Sequence, residues 1–371
     1  MIMGKLELII AKMLVTILNV ITLYLKPRRN KITYISYRSN NITTEIKLIS
    51  DEIHKIEPNT KEVFLMLKYK NTLLDKFRYV IEIIKQVYHV KTSKVVIIDG
   101  NNFVISNINK KDTRVVQIWH ACGAIKKFGK DFERKYEIKN YDFVITCSSS
   151  SKAILSSAFD VKEDQVVPLG YSKTDLLFDK HIMNKYKSKM YKKYPFLKGK
   201  KVVLYAPTFR GEAVYDKQML KVDVENISKS LGDEYILLCK YHPIINSTKD
   251  YSEIENLYNV SDESLYKLFA VTDILISDFS AIIYDFSILE KPIILYTPDL
   301  EHYKQNRGLY VDYEEFAPGK ITYSEEELIN TILNNNVDVE KVKALKNNFF
   351  DYKDGKSTSR IAKFVVELLK R

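Results

Sequence analysis

The sequence is poor in cysteine, and its cysteines are badly placed for a disulfide or zinc site. Cys122, Cys147 and Cys239 are the only three in 371 residues, an odd number without CxxC-type spacing. This argues against a disulfide framework and a cysteine-based metal site, and favours a reducing compartment. The chain also lacks a GxxxxGK[ST] loop, which argues against a nucleoside triphosphatase, and no two of its six histidines have HExxH spacing.

The sequence also lacks an apolar run long enough to span a membrane. Residues 1–31 are rich in Ile, Leu, Val and Met. However, Lys5, Glu7 and Lys12 leave only residues 13–25 uninterrupted, which is short of the ~20 residues that a spanning helix needs. A helix that crosses the bilayer is therefore disfavoured.

The same segment has the pattern of an amphipathic helix. With a rotation of about 100° per residue, Lys5, Lys12, Thr16 and Asn19 fall on one narrow stripe, and apolar residues cover most of the remainder. Two interpretations remain open. The helix either rests in the interface of a membrane or is buried in the core of the protein.

A cationic cluster follows this helix and favours the membrane interpretation. Pro27 stops the helix, and Lys26, Arg28, Arg29 and Lys31 surround it. Anionic lipid head groups attract each such charge by roughly 1 kcal/mol. No small-residue cleavage site follows the apolar run, which argues against a cleaved signal peptide. We therefore expect a peripheral protein on the cytoplasmic face of an anionic membrane.

The overall charge is positive, with 58 Lys and Arg against 47 Asp and Glu, a difference of +11. Such a charge can attract a nucleic acid, an anionic membrane or a phosphorylated substrate. The joint richness in Lys, Ile, Asn and Tyr is also what a biased genome composition produces. Because lysine is not interleaved with the aromatic and Gly-rich patterns of known RNA modules, we expect no nucleic-acid partner.

Apolar runs alternate with helix-length segments in both halves of the chain. Strands without polar alternation, separated by helices, are typical of parallel sheets covered on both faces. The runs are 32–37, 63–67, 94–99, 114–119 and 141–147 in the first half, and 201–206, 235–240, 273–277 and 292–296 in the second. The pattern predicts an α/β protein with two doubly wound domains and a cleft between them.

The domain boundaries follow from these runs. Residues 181–201 are dense in Lys and Tyr and contain Pro195 and Gly199, so we interpret them as a helix and turn between the domains. Their charges are either a solvated face or a second membrane contact. We expect a membrane-associating segment at 1–31, an N-terminal domain at 32–180, a linker at 181–200 and a C-terminal domain at 201–371. Whether the last helix packs back on the N-terminal domain is left open.

Candidate site residues follow the predicted strands, because ligands of open α/β sheets bind beyond the carboxyl ends of the strands. His120 leaves a strand into a small-residue turn, where an imidazole can accept a proton near neutral pH. A packed histidine that caps the turn is the alternative. Lys126 and Lys127, one to two turns further on, are available to a phosphate group.

The second half offers three further motifs at strand ends. Thr208 and Arg210 follow one strand, and the arginine is suited either to a diphosphate or to a nearby carboxylate. His242, followed by a proline, ends the next. Residues 277–285 begin with Ser and Asp residues that would cap a helix and leave N–H groups for a phosphate. Capping alone explains Asp285 better.

These motifs resemble the CDP-glycerol glycerophosphotransferases that build wall teichoic acid in Gram-positive bacteria. The resemblance runs from about residue 94 to residue 313. It rests on WHACGAIKKFG at 119–129, GYSKTDLL at 170–177, YAPTFRG at 205–211, KYHP at 240–243 and SDFSAIIYDFSILEKPIILY at 277–296. The resemblance implies a GT-B fold, in which two Rossmann-like domains hold CDP-glycerol on one side and a lipid-linked acceptor on the other.

The first motif is more similar to the primases of the family than to its polymerases, which usually read WHGTPLKKLG. The implied reaction moves sn-glycerol 3-phosphate from CDP-glycerol to the N-acetylmannosamine of an undecaprenyl-diphosphate-linked disaccharide and releases CMP. In this hypothesis His120 and His242 are catalytic and no metal or other cofactor is needed. Donor binding is assigned to Arg210, Thr208, Ser277, Asp278, Ser280, Lys126 and Lys127. Ala281 departs from the serine common in the family.

Other functions remain open at this stage. The same family contains extending enzymes that transfer glycerol phosphate or ribitol phosphate repeatedly. A GT-B glycosyltransferase that uses a nucleotide sugar is a further alternative, because a fold does not determine a reaction. A non-enzymatic, basic membrane-associated protein has only the positive charge in its favour. The sequence leaves open a homo-oligomer and association with other teichoic acid enzymes.

Overall fold

The chain divides into two units, each built around a six-stranded parallel sheet. The structure, a computed structural model, describes residues 4–68, 72–210, 220–241, 251 and 253–371. Unit 1 contains Met1–Cys122, Phe128–Asp175 and Asp351–Arg371, and unit 2 contains Gly123–Lys127 and Leu176–Phe350. The α/β class with two Rossmann-like domains, predicted from the alternating apolar runs, is therefore confirmed.

Unit 1 orders its strands β2-β1-β3-β4-β5-β6. These are β1 (Arg28–Ser36), β2 (Lys61–Met66), β3 (Ser93–Ile98), β4 (Arg114–Gln117), β5 (Phe143–Thr146) and β6 (Val166–Pro168). Its helices are α1 (Lys5–Ile21), α2 (Thr44–Ile56), α3 (Leu73–Thr92), α4 (Phe103–Asn107), α5 (Lys152–Phe159) and, from the end of the chain, α15 (Ser357–Lys370). The strand order reverses between β1 and β3, which makes this the switch point of the sheet.

Unit 2 orders its strands β12-β11-β10-β7-β8-β9, so its order reverses between β7 and β10. The strands are β7 (Lys201–Tyr205), β8 (Tyr235–Cys239), β9 (Leu257–Asn259), β10 (Ile274–Ser277), β11 (Ile293–Tyr296) and β12 (Lys320–Thr322). The helices are α6 (Asp175–Phe178), which begins at the last residue of unit 1, α7 (Lys180–Lys193), α8 (Val224–Leu231), α9 (Leu265–Val271), α10 (Ile282–Ser287), α11 (Leu300–Arg307), α12 (Tyr313–Phe316), α13 (Glu325–Leu333) and α14 (Val339–Phe349).

Three strands, β6, β9 and β12, were not predicted from the sequence. Each is three residues long, too short to show a hydrophobic pattern. All three are edge strands of their sheets. β6 contains Pro168, and an edge strand tolerates a proline because one side of the strand has no neighbour that needs its N–H group.

The C-terminal helix α15 belongs to unit 1, where it covers one face of the sheet. Ile361 and Val365 are buried in the same apolar cluster as Ile32 of β1. The carboxylate of Asp175 accepts hydrogen bonds from the backbone N–H groups of Ser357 (2.9 Å) and Thr358 (2.7 Å), which caps the helix start. The GYSKTDLL motif thus binds the last helix to unit 1.

Helix α1 presents three different faces. Ala11 and Val15 are buried in the core of unit 1, against residues of α3. A second stripe is apolar and exposed, and the exposed fractions of its side chains range from 70% for Leu6 to 54% for Ile17. Lys12, Thr16 and Asn19, which belong to the narrow polar stripe expected from the sequence, lie between them. The core interpretation is therefore right for one face of α1. The membrane interpretation of the exposed apolar face stays a prediction.

The prediction for the basic cluster after α1 was wrong for one of its four residues. Lys31, expected to face lipid, lies inside β1 and is buried, where its ammonium group donates to Thr92 Oγ1 at 2.6 Å. Burial and the nearby Arg28 lower the pKa of Lys31 to about 8. Lys26, Arg28 and Arg29 remain exposed. Among the described residues, no helix is both long and apolar enough to cross a bilayer.

Candidate active site

His120 follows β4 in unit 1 and is exposed. Its Nδ1 lies 2.9 Å from the main-chain oxygen of Asp99. Because a carbonyl oxygen only accepts hydrogen bonds, Nδ1 must carry the hydrogen of this pair. In the neutral imidazole the lone pair is then on Nε2, which can accept a proton.

The backbone before His120 is held in an unusual conformation. Trp119 has a φ of +52°, in the left-handed region that a bulky side chain rarely adopts. Its ring stacks on Phe128 at a centroid distance of 4.9 Å and meets Phe159 edge-on at 5.1 Å. Its N–H donates to Gln117 Oε1 at 2.9 Å. These contacts offset a conformational cost on the order of 1–3 kcal/mol and set the direction of the chain at His120.

An ionic network of two buried carboxylates and an exposed arginine lies at the switch point of unit 1. The Asp99 carboxylate, directly after β3, accepts from Ser36 Oγ at 2.9 Å and lies 3.6 Å from Nη1 of Arg38, which follows β1. Arg38 also pairs with the buried Glu45 of α2. Burial raises the pKa of Asp99 to about 6, although Arg38 and Ser36 act in the opposite direction. The network anchors the residue whose carbonyl orients His120.

Sequence reasoning missed Arg38, Glu45 and Asp99. Two of them follow strands, which is the signal that could have identified them. Nothing in the sequence, however, reveals that β1 and β3 are neighbours with β2 outside them. The contact between Arg38 and Asp99 could therefore be identified only from the strand order in the structure.

The motif that begins at His120 divides between the two units. Residues 123–127 belong to unit 2, where the N–H of Lys127 donates to the carbonyl of Gly308 at 3.0 Å. The N–H of Tyr310 donates to the carbonyl of Ile125 at 2.8 Å. Gly123 packs so closely that a Cβ there would lie 2.4 Å from the ring of Tyr284. The small residues of the motif therefore permit this segment to pack into unit 2.

Arg210 lies at the switch point of unit 2, after β7, and is held by two carboxylates. Its Nη1 donates to Asp278 Oδ2 at 2.7 Å, and its Nε and Nη2 donate to the two oxygens of Asp299 at 2.6 and 3.0 Å. The guanidinium carbon lies 5.1 Å from the ring centre of Phe279 and 5.2 Å from that of Tyr303. Burial alone would lower the pKa of Arg210, but the carboxylates raise it. Of the two interpretations from sequence, the structure shows the carboxylate partner.

The other residues assigned to donor binding hold the ends of β7 and β10 together. Both carboxylate oxygens of Asp278 accept from the N–H of Thr208, at 2.9 and 3.0 Å. Ser277 Oγ donates to the carbonyl of Ala206 at 3.0 Å. Ser280 Oγ makes only a 3.5 Å contact with the N–H of Ile282, and α10 begins beyond it. Ser277 and Asp278 therefore shape this edge of the sheet.

Several buried hydroxyl groups at this edge lack protein partners. Among the residues that the structure describes, Tyr205 Oη, Thr208 Oγ1 and Thr297 Oγ1 are buried without a hydrogen bond. An unsatisfied buried polar group costs roughly 1–3 kcal/mol. Such groups are suited to bind a polar ligand, and Thr208 is the one expected from the sequence.

Lys126 brings a further positive charge to the same edge. Its ammonium group lies 5.4 Å from the ring centre of Phe209. Burial, together with the guanidinium groups of Arg307 and Arg210, lowers the pKa of Lys126 to about 8, while Asp278 acts in the opposite direction. Three cations and the two carboxylates of Asp278 and Asp299 leave a net charge of about +1, which suits an anion such as a diphosphate.

The structure does not test the role of His242 or the expectation that no metal is needed. His242 lies outside the described residues, as do residues 211–219 after Arg210. Among the described ranges there is no group of three His, Cys, Asp or Glu side chains that could hold a metal ion. Catalysis without a metal stays a prediction.

The sequence of this chain is similar to enzymes of teichoic acid synthesis. It is 31% identical over 375 residues to the teichoic acid glycerol-phosphate primase of Bacillus subtilis (strain 168), covering 93% of this chain and 94% of that protein. It is 29% identical over 359 residues to the teichoic acid ribitol-phosphate primase of Bacillus spizizenii, covering 92% of each.

Solved structures agree on the fold. A structure of the wall teichoic acid polymerase TagF has a TM-score of 0.77 at 22% identity and covers 97% of this chain and 94% of that chain. A UDP-GlcNAc 2-epimerase from Neisseria meningitidis has a TM-score of 0.54 at 15% identity, covering 92% and 100% of the two chains. The family described as CDP-Glycerol:Poly(glycerophosphate) glycerophosphotransferase matches residues 17–367. With almost its whole length matched, the chain belongs to this family and is a CDP-glycerol glycerophosphotransferase.

Proposed function

We propose that this chain is a glycerol-phosphate primase of wall teichoic acid synthesis. It transfers sn-glycerol 3-phosphate from CDP-glycerol to the N-acetylmannosamine of an undecaprenyl-diphosphate-linked disaccharide and releases CMP. The observation that carries the proposal is the contact between His120 Nδ1 and Asp99 O, because it leaves Nε2 to act as a base. The similarity to a glycerol-phosphate primase along nearly the full length of both chains supports the proposed identity of the acceptor.

In the proposed reaction His120 Nε2 removes the proton of the sugar hydroxyl. The hydroxyl oxygen forms a bond to the β-phosphorus of CDP-glycerol while the bond from that phosphorus to the bridging oxygen breaks, and CMP leaves with the electron pair. General-base assistance of this kind contributes about 10²–10⁴ to a rate. The proton on His120 is then available to the solvent.

The donor is proposed to bind at the carboxyl ends of β7, β10 and β11. Lys126 and Arg307 offer positive charge to the diphosphate, and the unpartnered hydroxyl of Thr208 offers a hydrogen bond. Arg210, already held by Asp278 and Asp299, acts mainly by organising these groups. As part of this proposal, His242 keeps the catalytic role and Lys127 the donor-binding role that were expected from the sequence.

Mass spectrometry of the product tests the proposal. Purified protein is incubated with CDP-glycerol and a synthetic disaccharide diphospholipid, and the mass of the lipid product is measured. One added glycerol phosphate with CMP release supports the primase. A ladder of additions supports an extending enzyme, and UDP release from nucleotide sugars with no reaction of CDP-glycerol supports a glycosyltransferase.

A ribitol phosphate donor is the second candidate. It is favoured by the similarity to the ribitol-phosphate primase, which is nearly equal in identity and coverage to that of the glycerol-phosphate primase. Competition between CDP-glycerol and CDP-ribitol in one reaction distinguishes the two, because the masses of the transferred groups differ. Preferential transfer of ribitol phosphate would replace the first candidate.

The enzyme is proposed to act on an anionic membrane surface. The exposed apolar residues of α1 are joined by those of α3, where Phe77 is 65% exposed and Ile81 and Ile84 are also exposed. The helices pack together, and Lys76 of α3 pairs with Glu7 of α1 at 2.7 Å. We call the exposed apolar residues of α1 and α3 the membrane face. The exposed Lys26, Arg28 and Arg29 add charge next to it.

A further inference from the structure

We propose that unit 1 contains a binding pocket for the head group of an anionic glycerophospholipid, next to the membrane face. The inference rests on the proposed membrane association but not on the transfer reaction. A cavity of about 670 Å³ lies between α1, α4 and residues 135–140. Leu8 and Ile9 of α1 line it, and Ile9 is also an exposed residue of the membrane face. A head group could therefore enter while its acyl chains stay beside α1.

The cavity has walls tied together by hydrogen bonds. Asn19 of α1 donates to the carbonyl of Asn107 at 3.1 Å and accepts from the N–H of Asn109 at 3.1 Å. On the opposite wall, Asn140 donates to the carbonyls of Ile105 (2.8 Å) and Ile108 (3.0 Å). The concave shape is therefore built into unit 1 and does not depend on the position of surface side chains alone.

The charge of the lining suits a phosphate group. Among the described side chains, Lys12, Lys135 and Lys139 line the cavity together with one carboxylate, that of Glu137, which pairs with Lys139 at 3.0 Å. Three ammonium groups and one carboxylate leave a net charge of about +2 (3 − 1). A phosphodiester bound there would gain charge-assisted hydrogen bonds.

A buried hydroxyl group in the lining has no partner. Ser106 of α4 is 1% exposed and lines the cavity, and its Oγ makes no hydrogen bond within the described part of the chain. A buried hydroxyl without a partner lowers the stability of the protein unless a ligand or a water molecule forms a hydrogen bond with it. Together with the lysines, it favours a ligand that carries both a phosphate and polar head-group atoms, as phosphatidylglycerol does.

The pocket is distinct from the reaction centre. Residues 106–109 and 135–140 precede β4 and β5, whereas His120 follows the carboxyl end of β4. In a parallel sheet these positions lie at opposite ends of the strands. The length of β4, four residues, separates them by roughly 13 Å. The lipid in this pocket is thus not the reacting acceptor, and we infer that it holds the enzyme on the membrane in one orientation.

Binding of water-soluble short-chain lipids to the full chain tests the pocket without a membrane and without CDP-glycerol. Calorimetric titration uses monomeric dihexanoyl-phosphatidylglycerol, dihexanoyl-phosphatidylcholine, glycerol 3-phosphate and inorganic phosphate. We expect phosphatidylglycerol to bind at least about tenfold more tightly than the other three. Equal binding of phosphatidylcholine would overturn the proposal, and equal binding of glycerol 3-phosphate or inorganic phosphate would show a site for soluble anions instead.

Two variants and a control sharpen the test. Ser106→Ala should weaken phosphatidylglycerol binding about 3- to 10-fold with an unchanged or higher Tm, because the hydroxyl makes no bond within the protein. Lys12→Gln should weaken it by a similar factor, and Lys47→Gln, an exposed lysine of α2 outside the pocket, should not. Unchanged affinity in Ser106→Ala and Lys12→Gln would overturn the site. Because no transfer is measured, failure of the proposed reaction would leave this result standing.

Discussion

His120 donates its Nδ1 hydrogen to the main-chain oxygen of Asp99, 2.9 Å away. The partner is a backbone atom, and the side chain of the same residue is anchored by Ser36 and Arg38. The imidazole is therefore oriented by the end of β3 even though it belongs to the end of β4. The direction of this hydrogen bond decides which ring nitrogen can accept a proton.

Replacing His120 by alanine should lower kcat about 10²- to 10⁴-fold and leave the Kd for CDP-glycerol within about twofold. The reason is that His120 is assigned to proton transfer and not to donor binding. Single-turnover CMP release and calorimetry measure the two quantities. A loss of donor affinity equal to the loss of rate would move His120 into the nucleotide site.

The protonated nitrogen can be observed without activity. In a sample with ¹⁵N-labelled histidine, we expect Nδ1 of His120 to carry the hydrogen at neutral pH, because it faces a carbonyl. The His120→Ala spectrum assigns the signal, and the exposed His181 serves as the comparison. A hydrogen on Nε2 would contradict the orientation described above.

Removing the Arg210 guanidinium should strongly destabilise unit 2. Arg210→Met leaves the buried Asp278 and the half-buried Asp299 without their cation, and breaking a buried pair in this way costs about 3–5 kcal/mol. Arg210→Lys keeps the charge but not the two-pronged contact, so we expect a smaller loss. Urea unfolding of both variants, with Arg29→Met as an exposed control, measures the free energy of unfolding.

The lysine variant also distinguishes the two interpretations of Arg210. If Arg210→Lys unfolds at the same urea concentration as the parent but binds CDP-glycerol far more weakly, the guanidinium contacts the donor directly. The carboxylate pairs then would not be its main role.

Donor affinity should fall as the pH rises through about 8. The lowered pKa of Lys126 means that its ammonium group is charged below about pH 8 and neutral above it. If that charge is required, the Kd for CDP-glycerol rises about tenfold between pH 7 and pH 9, in proportion to the protonated fraction. Lys126→Arg, which stays charged, should flatten the profile.

Lys341→Arg is the matched control for this pH dependence, because Lys341 is an exposed lysine of α14 that has no part in the proposed donor site. It should keep the profile of the parent. A profile that stays steep in Lys126→Arg would assign the titration to another group.

Vesicle binding should depend on exposed residues of both α1 and α3. Phe77→Ser together with Ile81→Ser should weaken binding to anionic vesicles at least tenfold, since burial of a large apolar side chain contributes about 1.5–3 kcal/mol. Deleting residues 1–26 is a poorer test, because Ala11 and Val15 belong to the core of unit 1. Leu333→Ser, an exposed leucine of α13 in unit 2, is the matched control. Parent-like binding of the double variant would contradict the membrane face.

Much of the fold could be predicted from hydrophobic runs. Strands of a sheet that is covered on both faces are mostly apolar, so β1, β2, β3, β4, β5, β7, β8, β10 and β11 are visible in the sequence. The position of His120 after a strand follows from the same runs. The edge strands β6, β9 and β12 could not be identified, since three residues show no pattern.

The partners of the site residues depended on strand order. Arg38 and Asp99 are 61 positions apart and Arg210 and Asp278 are 68 apart (99 − 38 and 278 − 210), yet each pair meets where the order of its sheet reverses. The sequence determined that chemistry would gather at strand ends and that an amphipathic helix would lie within residues 1–31. Only the tertiary structure decided that Arg210 faces carboxylates, that Lys31 is buried and that α1 divides its apolar residues between core and surface. The physical reason is that hydrophobic periodicity specifies which residues leave water, whereas the neighbours they meet are decided by packing between segments distant in the chain.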